Sequence, residues 1–338
     1  MTQKKMTIKD IARISGYSTA TVSRALNDLP GVSRELRSRI IDLCNENGYF
    51  PDNAARSLRR KKTFTIGAVL PTLDHAGYAR MILAIQNVVT RNGFTLLHTQ
   101  SNFELEAEYN QTKLLIERGV EGLILVGAVH SENLYKIVRH NRIPCVNTYS
   151  YMEDSEFPCV GFDNKTAMYN VVDFLIQMNH RKFAYISGIV AGNDRVSERL
   201  NGLRQRLAEE RLELPDHLFL QARYNILDGF NSMKKLMKNI DEFTAVVCGS
   251  DILAFGALSA CRNYDIRVPE QISVVGFDNQ RFAQHLWPPL TTSETPGDQM
   301  GEISAQMLVE NITNGTPMKS TLLETSIVHR KTVSPPNR

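Results

Sequence analysis

Residues 7–27 read TIKDIARISGYSTATVSRALN, and this stretch predicts two short helices on either side of a tight turn. Thr7 and Ser18 are each placed to cap a helix, and Gly16 interrupts the pattern between them. The apolar residues of each predicted helix return at helical spacing, so each helix has one face that can be buried. Two short helices across a glycine-containing turn are the geometry of a helix-turn-helix.

A third helix is predicted to support the first two. Ser33 can cap it, its apolar residues again share one side, and it should end near Gly48. The Pro30-Gly31 pair supplies the turn before it. We therefore predict a small all-α helix-turn-helix domain over residues 1–50.

Residues 51–62 are predicted to form a hinge helix and linker. The only large apolar side chain of the short helical pattern is Leu58, and the basic run Arg59–Lys62 follows it. A helix of about two turns is marginal alone in water, so it should order only when something stabilises it. The basic run favours contact with phosphates. A linker open to proteolysis is the alternative.

The charge of the chain is divided unevenly between this region and the rest. Residues 1–62 hold thirteen Lys or Arg against six Asp or Glu, a net charge of +7. The remaining 276 residues hold 26 against 30, a net charge of −4. A basic head on a mildly acidic body indicates a nucleic-acid-binding module joined to a second function.

From Thr63 onward, short apolar runs alternate with helical patterns. The first set is predicted to contain strands at 64–70, 94–98, 122–126 and 145–149, with helices at 76–91, 104–118 and 131–141. The second set is predicted to begin with a strand at 159–162 and to continue with helices at 165–178, 195–210, 227–238 and 251–263 and strands at 183–187, 218–221, 245–248 and 273–276. This alternation predicts a two-lobed α/β body with two doubly wound parallel sheets. Ligands of such sheets bind at the carboxyl ends of the strands, so a cleft between the lobes is the predicted pocket.

Several other classes of protein are disfavoured by the sequence. Neither a nucleotide-binding glycine loop, nor a zinc-protease HExxH motif, nor a GxSxG nucleophile elbow occurs, so we expect no enzyme. The five cysteines and eight histidines show neither disulfide nor metal-ligand spacing, so no metal or cofactor is predicted. The N-terminus lacks a secretory pattern and no apolar run reaches roughly 20 residues, so we expect a cytoplasmic, nucleoid-associated protein without membrane contact.

The order of these regions resembles the LacI/GalR family of bacterial transcription regulators. The motifs that carry the resemblance are TIKDIAR at 7–13, STATVSRALN at 18–27, GYFP at 48–51, ARSL at 55–58, VPEQISVVGFDN at 268–279 and LTT at 290–292. The resemblance implies a body of residues 63–338 that is similar to type I periplasmic sugar-binding proteins, whose chain crosses between the lobes three times. It places the first lobe at about 63–160 plus 292–330, and the second lobe at about 161–291.

The resemblance also implies which residues meet DNA. The second helix would enter the major groove, with Thr19, Ala20 and Arg24 at base edges. Arg24 can make a bidentate contact with guanine, whereas Ala20 offers only a methyl group. Leu58 would wedge into the minor groove, as apolar side chains do when they unstack a base step. The expected phosphate contacts are Ser18, Thr21, Ser23, Asn27 and Arg59.

The effector would bind between the lobes, at the positions where the family holds its pocket residues. These positions are Tyr78, Asp163, Arg195, Arg199, Tyr224, Asp251 and Asp278. Carboxylates and guanidinium groups suit the paired hydroxyls of a sugar, and flat aromatic rings suit its C–H face. Each aspartate can instead be a helix cap, and the pair Arg195 and Arg199 leaves room for an anionic ligand such as a sugar acid.

The function that follows is a homodimeric, sequence-specific regulator, most simply a repressor of carbohydrate uptake or catabolism genes. It would bind a pseudo-palindromic DNA operator and respond to a small-molecule effector, a sugar or sugar acid. The sequence after Val333 shows no heptad repeat, which favours a dimer over a tetramer joined by a coiled coil. Two alternatives stay open: a cytoplasmic sugar-binding or sugar-modifying protein with an incidental basic head, and a chromosome-structuring protein without sequence preference.

Overall fold

A computed structural model of the chain describes residues 6–50 and 62–337. These residues fall into two compact units that divide between Thr63 and Phe64. We call the first unit the head and the second the body, and each is described by itself.

The described residues of the head form three helices, α1 (Ile8–Ser15), α2 (Thr19–Leu26) and α3 (Arg34–Glu46). The predicted cap of α1 is confirmed as a reciprocal capping box, in which the Thr7 backbone N–H donates to Asp10 Oδ2 at 3.0 Å. Gly16 ends this helix in the left-handed conformation, with φ at 75°. Residues 8–46 thus form the predicted helix-turn-helix with its supporting third helix.

A small apolar core fixes the orientation of the three head helices. Ile11, Val22, Ala25, Ile40 and Cys44 are buried together, with at least one from each helix. Because Val22 and Ala25 point inward, the opposite face of α2 is turned to solvent.

The body contains eight α-helices, three short 3₁₀ helices and twelve strands among its described residues. Its strands are β1 (Thr65–Leu70), β2 (Thr95–Gln100), β3 (Gly122–Val126), β4 (Cys145–Thr148), β5 (Cys159–Gly161), β6 (Phe183–Ser187), β7 (Phe219–Gln221), β8 (Ala245–Cys248), β9 (Ser273–Asp278), β10 (Thr291–Glu294), β11 (Thr321–Leu322) and β12 (Ser326–Val328). Its helices are α4 (Ala76–Arg91), α5 (Leu105–Glu117), α6 (Glu132–Asn141), α7 (Asn164–Gln177), α8 (Asp194–Glu209), α9 (Ile226–Leu236), α10 (Asp251–Asn263) and α11 (Gly297–Asn314). Among the helices described, none combines the length and apolar character needed to cross a bilayer.

Two six-stranded sheets organise the body into two lobes. The first sheet has the order β11-β5-β4-β3-β1-β2, and the second has the order β12-β10-β9-β8-β6-β7. All pairings are parallel except that of β10 with β12. The central strands are buried along their whole length, as strands covered on both faces must be. The predicted two-lobed α/β body with parallel-dominated sheets is therefore confirmed.

The chain crosses between the lobes three times, and the structure differs from the sequence-based assignment at two places. The strand predicted at 159–162 was grouped with the second set of strands, whereas β5 pairs with β4 in the first sheet, in agreement with the expected lobe boundary near residue 160. Residues 292–330 were expected in the first lobe, but only α11 and β11 lie there. The strand β10 pairs with β9, and β12 pairs with β10, because their backbone groups complete the edge of the second sheet.

Candidate functional site

The outward face of α2 carries the residues expected to read DNA bases. Thr19, Ala20 and Arg24 are all exposed, whereas Val22 and Ala25 of the same helix are buried. Arg24 lies in the last turn of the helix, and its side chain is open to solvent. These three side chains are therefore accessible to solvent while the apolar core of the head stays covered.

Four of the expected phosphate contacts have local structural roles in the head. The Ser18 hydroxyl accepts the backbone N–H of Thr21 at 3.1 Å and lies 2.9 Å from the Thr21 hydroxyl, which caps α2. The Asn27 amide donates to the Ser23 carbonyl at 2.7 Å and so ends the helix. Their contact with phosphates stays a prediction. The other two predicted DNA contacts, Leu58 and Arg59, lie outside the described residues.

In the body, a cavity lies between the lobes at the carboxyl ends of the strands. We call it the inner cavity; Arg195, Arg199, Tyr78, Tyr224 and Asp278 all line it. The strand β9 continues two residues beyond its predicted end, and this extension brings Asp278 to the cleft. The inner cavity measures about 10 Å³, space for about one water molecule, so the lobes are closed upon it.

Direct polar contacts hold the two lobes together around this cavity. His75 Nε2, from the first lobe, lies 2.8 Å from Asp278 Oδ2 of the second, and both side chains are buried. Arg195 Nη1 donates to the Val126 carbonyl at 3.0 Å across the same cleft. Asp194 Oδ2 accepts the backbone N–H of Ala128 at 2.8 Å. A ligand that entered the cleft would have to replace at least some of these contacts.

Arg199 is a buried cation whose hydrogen-bond partners are neutral. Its Nη1 donates to the Gly249 carbonyl at 3.1 Å, and its guanidinium lies 4.6 Å from the centre of the Phe277 ring. Burial alone would lower the pKa of Arg199, but the nearby Tyr224 and the carboxylate of Asp278 raise it. The side chain therefore stays charged, with a planar fork of donors at the cavity wall.

The aromatic side chains of the cavity form a connected wall. The Tyr78 ring lies 4.9 Å from the His75 ring and 4.8 Å from the Tyr149 ring, measured between centres. Tyr224 approaches His75 from the other lobe at 5.8 Å. Burial raises the pKa of Tyr78 to about 12, so its phenol stays neutral and can donate a hydrogen bond.

Three cavity residues that the sequence did not predict carry buried polar atoms without a hydrogen-bond partner in the described chain. These atoms are His75 Nδ1, Tyr149 Oη and Asn164 Oδ1. A buried polar group left without a partner costs roughly 1–3 kcal/mol, so each atom would gain from a ligand hydroxyl. His75 follows β1, Tyr149 follows β4, and Asn164 lies where the chain first crosses between the lobes. These positions are the signal from which the sequence could have predicted them as cavity residues.

Two predicted effector residues lie away from the cavity lining. Asp163 is exposed and caps α7, where its Oδ1 accepts the backbone N–H groups of Lys165 at 2.9 Å and Thr166 at 3.1 Å. Asp251 is fully buried beneath the site and accepts the backbone N–H of Gln280 at 2.6 Å. Burial raises the pKa of Asp251 well above its usual range. The structure thus supports the capping alternative for Asp163 and a structural position for Asp251.

Comparisons with known proteins match this architecture. The profile of bacterial regulatory proteins of the lacI family matches residues 7–52, and that of the periplasmic binding protein-like domain matches residues 172–333. The HTH-type transcriptional regulator MalR of Clostridium butyricum is 31% identical over 335 residues, which is 96% of this chain and 98% of that protein. The HTH-type transcriptional repressor PurR of Salmonella paratyphi A is 31% identical over 310 residues, 91% of each chain.

Solved structures give the same result for the fold. The lac repressor dimer bound to operator and an anti-inducer superposes with a TM-score of 0.86 at 23% identity, over 98% of this chain and 100% of that one. The complex of the transcriptional regulator CelR with cellobiose superposes with a TM-score of 0.70 at 26% identity, over 97% of this chain and 100% of that one.

Proposed function

Because the chain belongs to the LacI family of bacterial DNA-binding transcriptional regulators, we propose that it binds an operator through α2 and an effector between the lobes of its body. The observation that carries the proposal is the inner cavity, where buried cations, aromatic rings and unpartnered polar atoms from both lobes converge. The exposure of Thr19, Ala20 and Arg24 on one face of α2 supports the operator half of the proposal.

The effector that best suits this cavity is a sugar or a sugar acid. Aromatic rings such as Tyr78 can cover the C–H face of a sugar, and the guanidinium of Arg199 and the carboxylate of Asp278 can bind neighbouring hydroxyls. One similar protein, the transcriptional regulator CelR, is bound to cellobiose in its solved structure, which supports a carbohydrate. We therefore propose a repressor of carbohydrate uptake or catabolism genes, which would act in the cytoplasm, on the chromosome.

A change in lobe closure is the proposed link between effector and operator. The contacts of His75 with Asp278 and of Arg195 with Val126 hold the closed cleft, so an effector that separates or re-closes the lobes changes the geometry of the body. We propose that this change alters the spacing of the two hinge segments of a dimer. In one arrangement residues 52–60 of both subunits would fold, and each Leu58 would enter the minor groove. In the other arrangement the two hinge segments would separate.

We expect the protein to be a dimer in solution. One helix-turn-helix covers only half of a pseudo-palindromic operator, so useful affinity needs two copies about one helical turn apart. The lac repressor structure with the same fold is a dimer on its operator, which supports this expectation. Light scattering at micromolar concentration should give twice the mass of the 338-residue chain, and a mass of one or four chains would contradict it.

Gel-shift titration tests the proposed function against its alternatives. The protein should bind a pseudo-palindromic site selected from random DNA roughly 10³-fold or more tightly than unrelated DNA at physiological salt. A sugar or sugar acid that raises the melting temperature of the protein should also change the operator affinity. Equal affinity for all DNA sequences would favour a chromosome-structuring protein. Sugar binding without DNA binding would favour a sugar-binding or sugar-modifying protein whose basic head is incidental.

A further inference from the structure

The loop between β3 and α6 carries a direct contact between the two lobes. We call residues 127–131 of this loop the docking loop. The Ala128 N–H donates to Asp194 Oδ2, on α8 of the second lobe, at 2.8 Å. Gly127 has a φ of 101°, and a β-carbon at this position would collide with the guanidinium of Arg195. The backbone of the docking loop therefore fits closely against α8, and a small shift of the loop would break the contact.

A buried histidine supports the docking loop from inside the first lobe. The side chain of His130 is 1% exposed. Its Nδ1 lies 3.0 Å from Glu108 Oε2 of α5, and its Nε2 lies 3.1 Å from Asn147 Oδ1 of β4. The backbone N–H of His130 donates to the Tyr135 hydroxyl at 3.1 Å, and that hydroxyl donates to the Ala128 carbonyl at 3.0 Å. The position of the ring is thus tied to the backbone that meets the second lobe.

Both ring nitrogens of His130 face hydrogen-bond acceptors. Asn147 Nδ2 donates to Ser155 Oγ at 3.1 Å, so the oxygen of this amide is the atom turned toward the ring. A neutral imidazole has one N–H donor and one acceptor nitrogen, so it would leave one of the two contacts without a proton. The imidazolium donates at both nitrogens and also pairs with the carboxylate of Glu108. The geometry of the cluster therefore fits the protonated ring.

The charges around His130 come from both lobes. Burial alone would lower the pKa of His130, but the carboxylates of Glu108 and Asp194 raise it above its ordinary value. Asp194 belongs to the second lobe, so its share of this effect is present only while the lobes are closed. Arg195 Nη1 lies 2.8 Å from Asp194 Oδ1 and offsets part of it. The stabilisation by the protonated ring is complete below the ordinary histidine pKa of about 6.5, and it is lost as the pH rises through the raised pKa.

The other titratable groups packed around the docking loop have different roles. Tyr135 lies on α6 and Cys145 on β4, and burial raises the pKa of both side chains, so they stay neutral near neutral pH. Glu156, on the segment before β5, pairs with Arg139 Nε at 3.0 Å. A change of charge at the docking loop near neutral pH is therefore assigned to His130.

We propose that His130 makes lobe closure sensitive to pH. Its imidazolium holds the docking loop against α8, and the neutral ring at higher pH loosens the loop and weakens the contact with Asp194. The proton then acts as a regulatory ligand of the body, bound at a buried position inside the first lobe. An effect of pH on operator affinity rests on the proposed function, because that function links closure to the operator, whereas proton-linked closure itself does not.

Hydrogen exchange of the Ala128 amide tests the proposal, because this N–H is the donor of the contact between the lobes. Exchange is measured on the full-length protein without effector and corrected for the intrinsic effect of pH on exchange. Protection of Ala128 should fall as the pH rises from about 6 to about 9, by up to about tenfold per pH unit, the limit for one linked proton. In a parallel titration followed by NMR, the ring of His130 should titrate above about 6.5.

Three variants assign the pH dependence to this cluster. His130→Gln keeps a hydrogen-bond donor but no charge, so protection of Ala128 should no longer depend on His130 and should stay near the high-pH level of the unaltered protein. Glu108→Gln removes the carboxylate that raises the pKa of His130, so the transition should move to lower pH. The control is His140→Gln, at an exposed histidine near the end of α6, which should leave the profile unchanged. His75 at the cleft is present in all of these proteins, so the differences between them isolate His130.

The opposing outcomes separate this inference from the proposed function. Protection of Ala128 that is independent of pH, or that changes with pH in the same way in His130→Gln, would overturn proton-linked closure. A His130 ring that titrates at or below its ordinary pKa would overturn it as well. If His130→Gln fails to fold, the displaced transition in Glu108→Gln still decides. Operator affinity that stays constant while Ala128 protection changes would support proton-linked closure and contradict the proposed link between closure and operator.

Discussion

Asp278→Asn should lower effector affinity about 100-fold and leave operator affinity unchanged, so that the operator no longer responds to effector. Asp278 ends β9 at a φ of 108° and lies buried at the inner cavity, against His75 of the other lobe. Asparagine keeps the size of the side chain and tolerates positive φ, so the fold should survive. Hydrogen bonds to a charged group contribute about 1.5–3 kcal/mol each, and the loss of about 2.7 kcal/mol is a factor of about 100.

The matched control for this change is Asp163→Asn. Asp278 ends β9 and Asp163 follows β5, but Asp163 is exposed and caps α7, so its substitution should change effector affinity by less than about twofold. Calorimetry with the effector and gel shift with the operator give the two affinities for each variant. Equal losses of effector affinity in both variants, or a loss of operator binding in Asp278→Asn, would contradict the assignment of Asp278 to the ligand.

Arg24→Ala should weaken operator binding by about 1–3 kcal/mol and remove the preference at one base pair of each half-site. The side chain is exposed on α2, next to the buried Val22 and Ala25, so its removal should cost the head no stability. A dimer carries two such side chains, and both half-sites lose the contact. Binding to a set of operators with each base pair substituted in turn measures the preference directly.

Arg59→Ala is the comparison for Arg24→Ala. A phosphate contact carries no sequence information, so this substitution should weaken binding to every DNA about equally. The slope of log affinity against log salt concentration should fall in magnitude by about one, because one fewer counterion is released. An unchanged base preference in Arg24→Ala would show that α2 does not read the operator through this residue.

The head could be predicted closely from sequence because its signals are local. Thr7, Ser18 and Ser33 are caps whose partners lie three residues away, and Gly16 ends α1 through its own φ. The alternation of strands and helices in the body was equally readable, since buried parallel strands are continuous apolar runs. The lobe boundaries after residue 290 could not be read from the sequence, because the pairing of β10 and β12 depends on strands that lie elsewhere in the chain.

The candidate site was predictable only in part, because position after a strand does not determine where a side chain points. Asp163 and Asp278 have the same sequence context, yet the first turns back to cap its own helix and the second faces the opposite lobe. The unpartnered atoms of His75, Tyr149 and Asn164 come from three separate segments. Only the folded chain shows that they meet at one cavity.

We propose that effector binding and operator binding are coupled through the state of the lobes. Coupling between two binding sites is reciprocal, and its usual size of 1–3 kcal/mol corresponds to about 5- to 150-fold. The most direct test is calorimetric titration of the full-length dimer with its effector, in the absence and in the presence of saturating operator DNA. We expect the effector dissociation constant to change by the same factor by which effector changes the operator dissociation constant. The same effector affinity in both titrations would contradict the coupling.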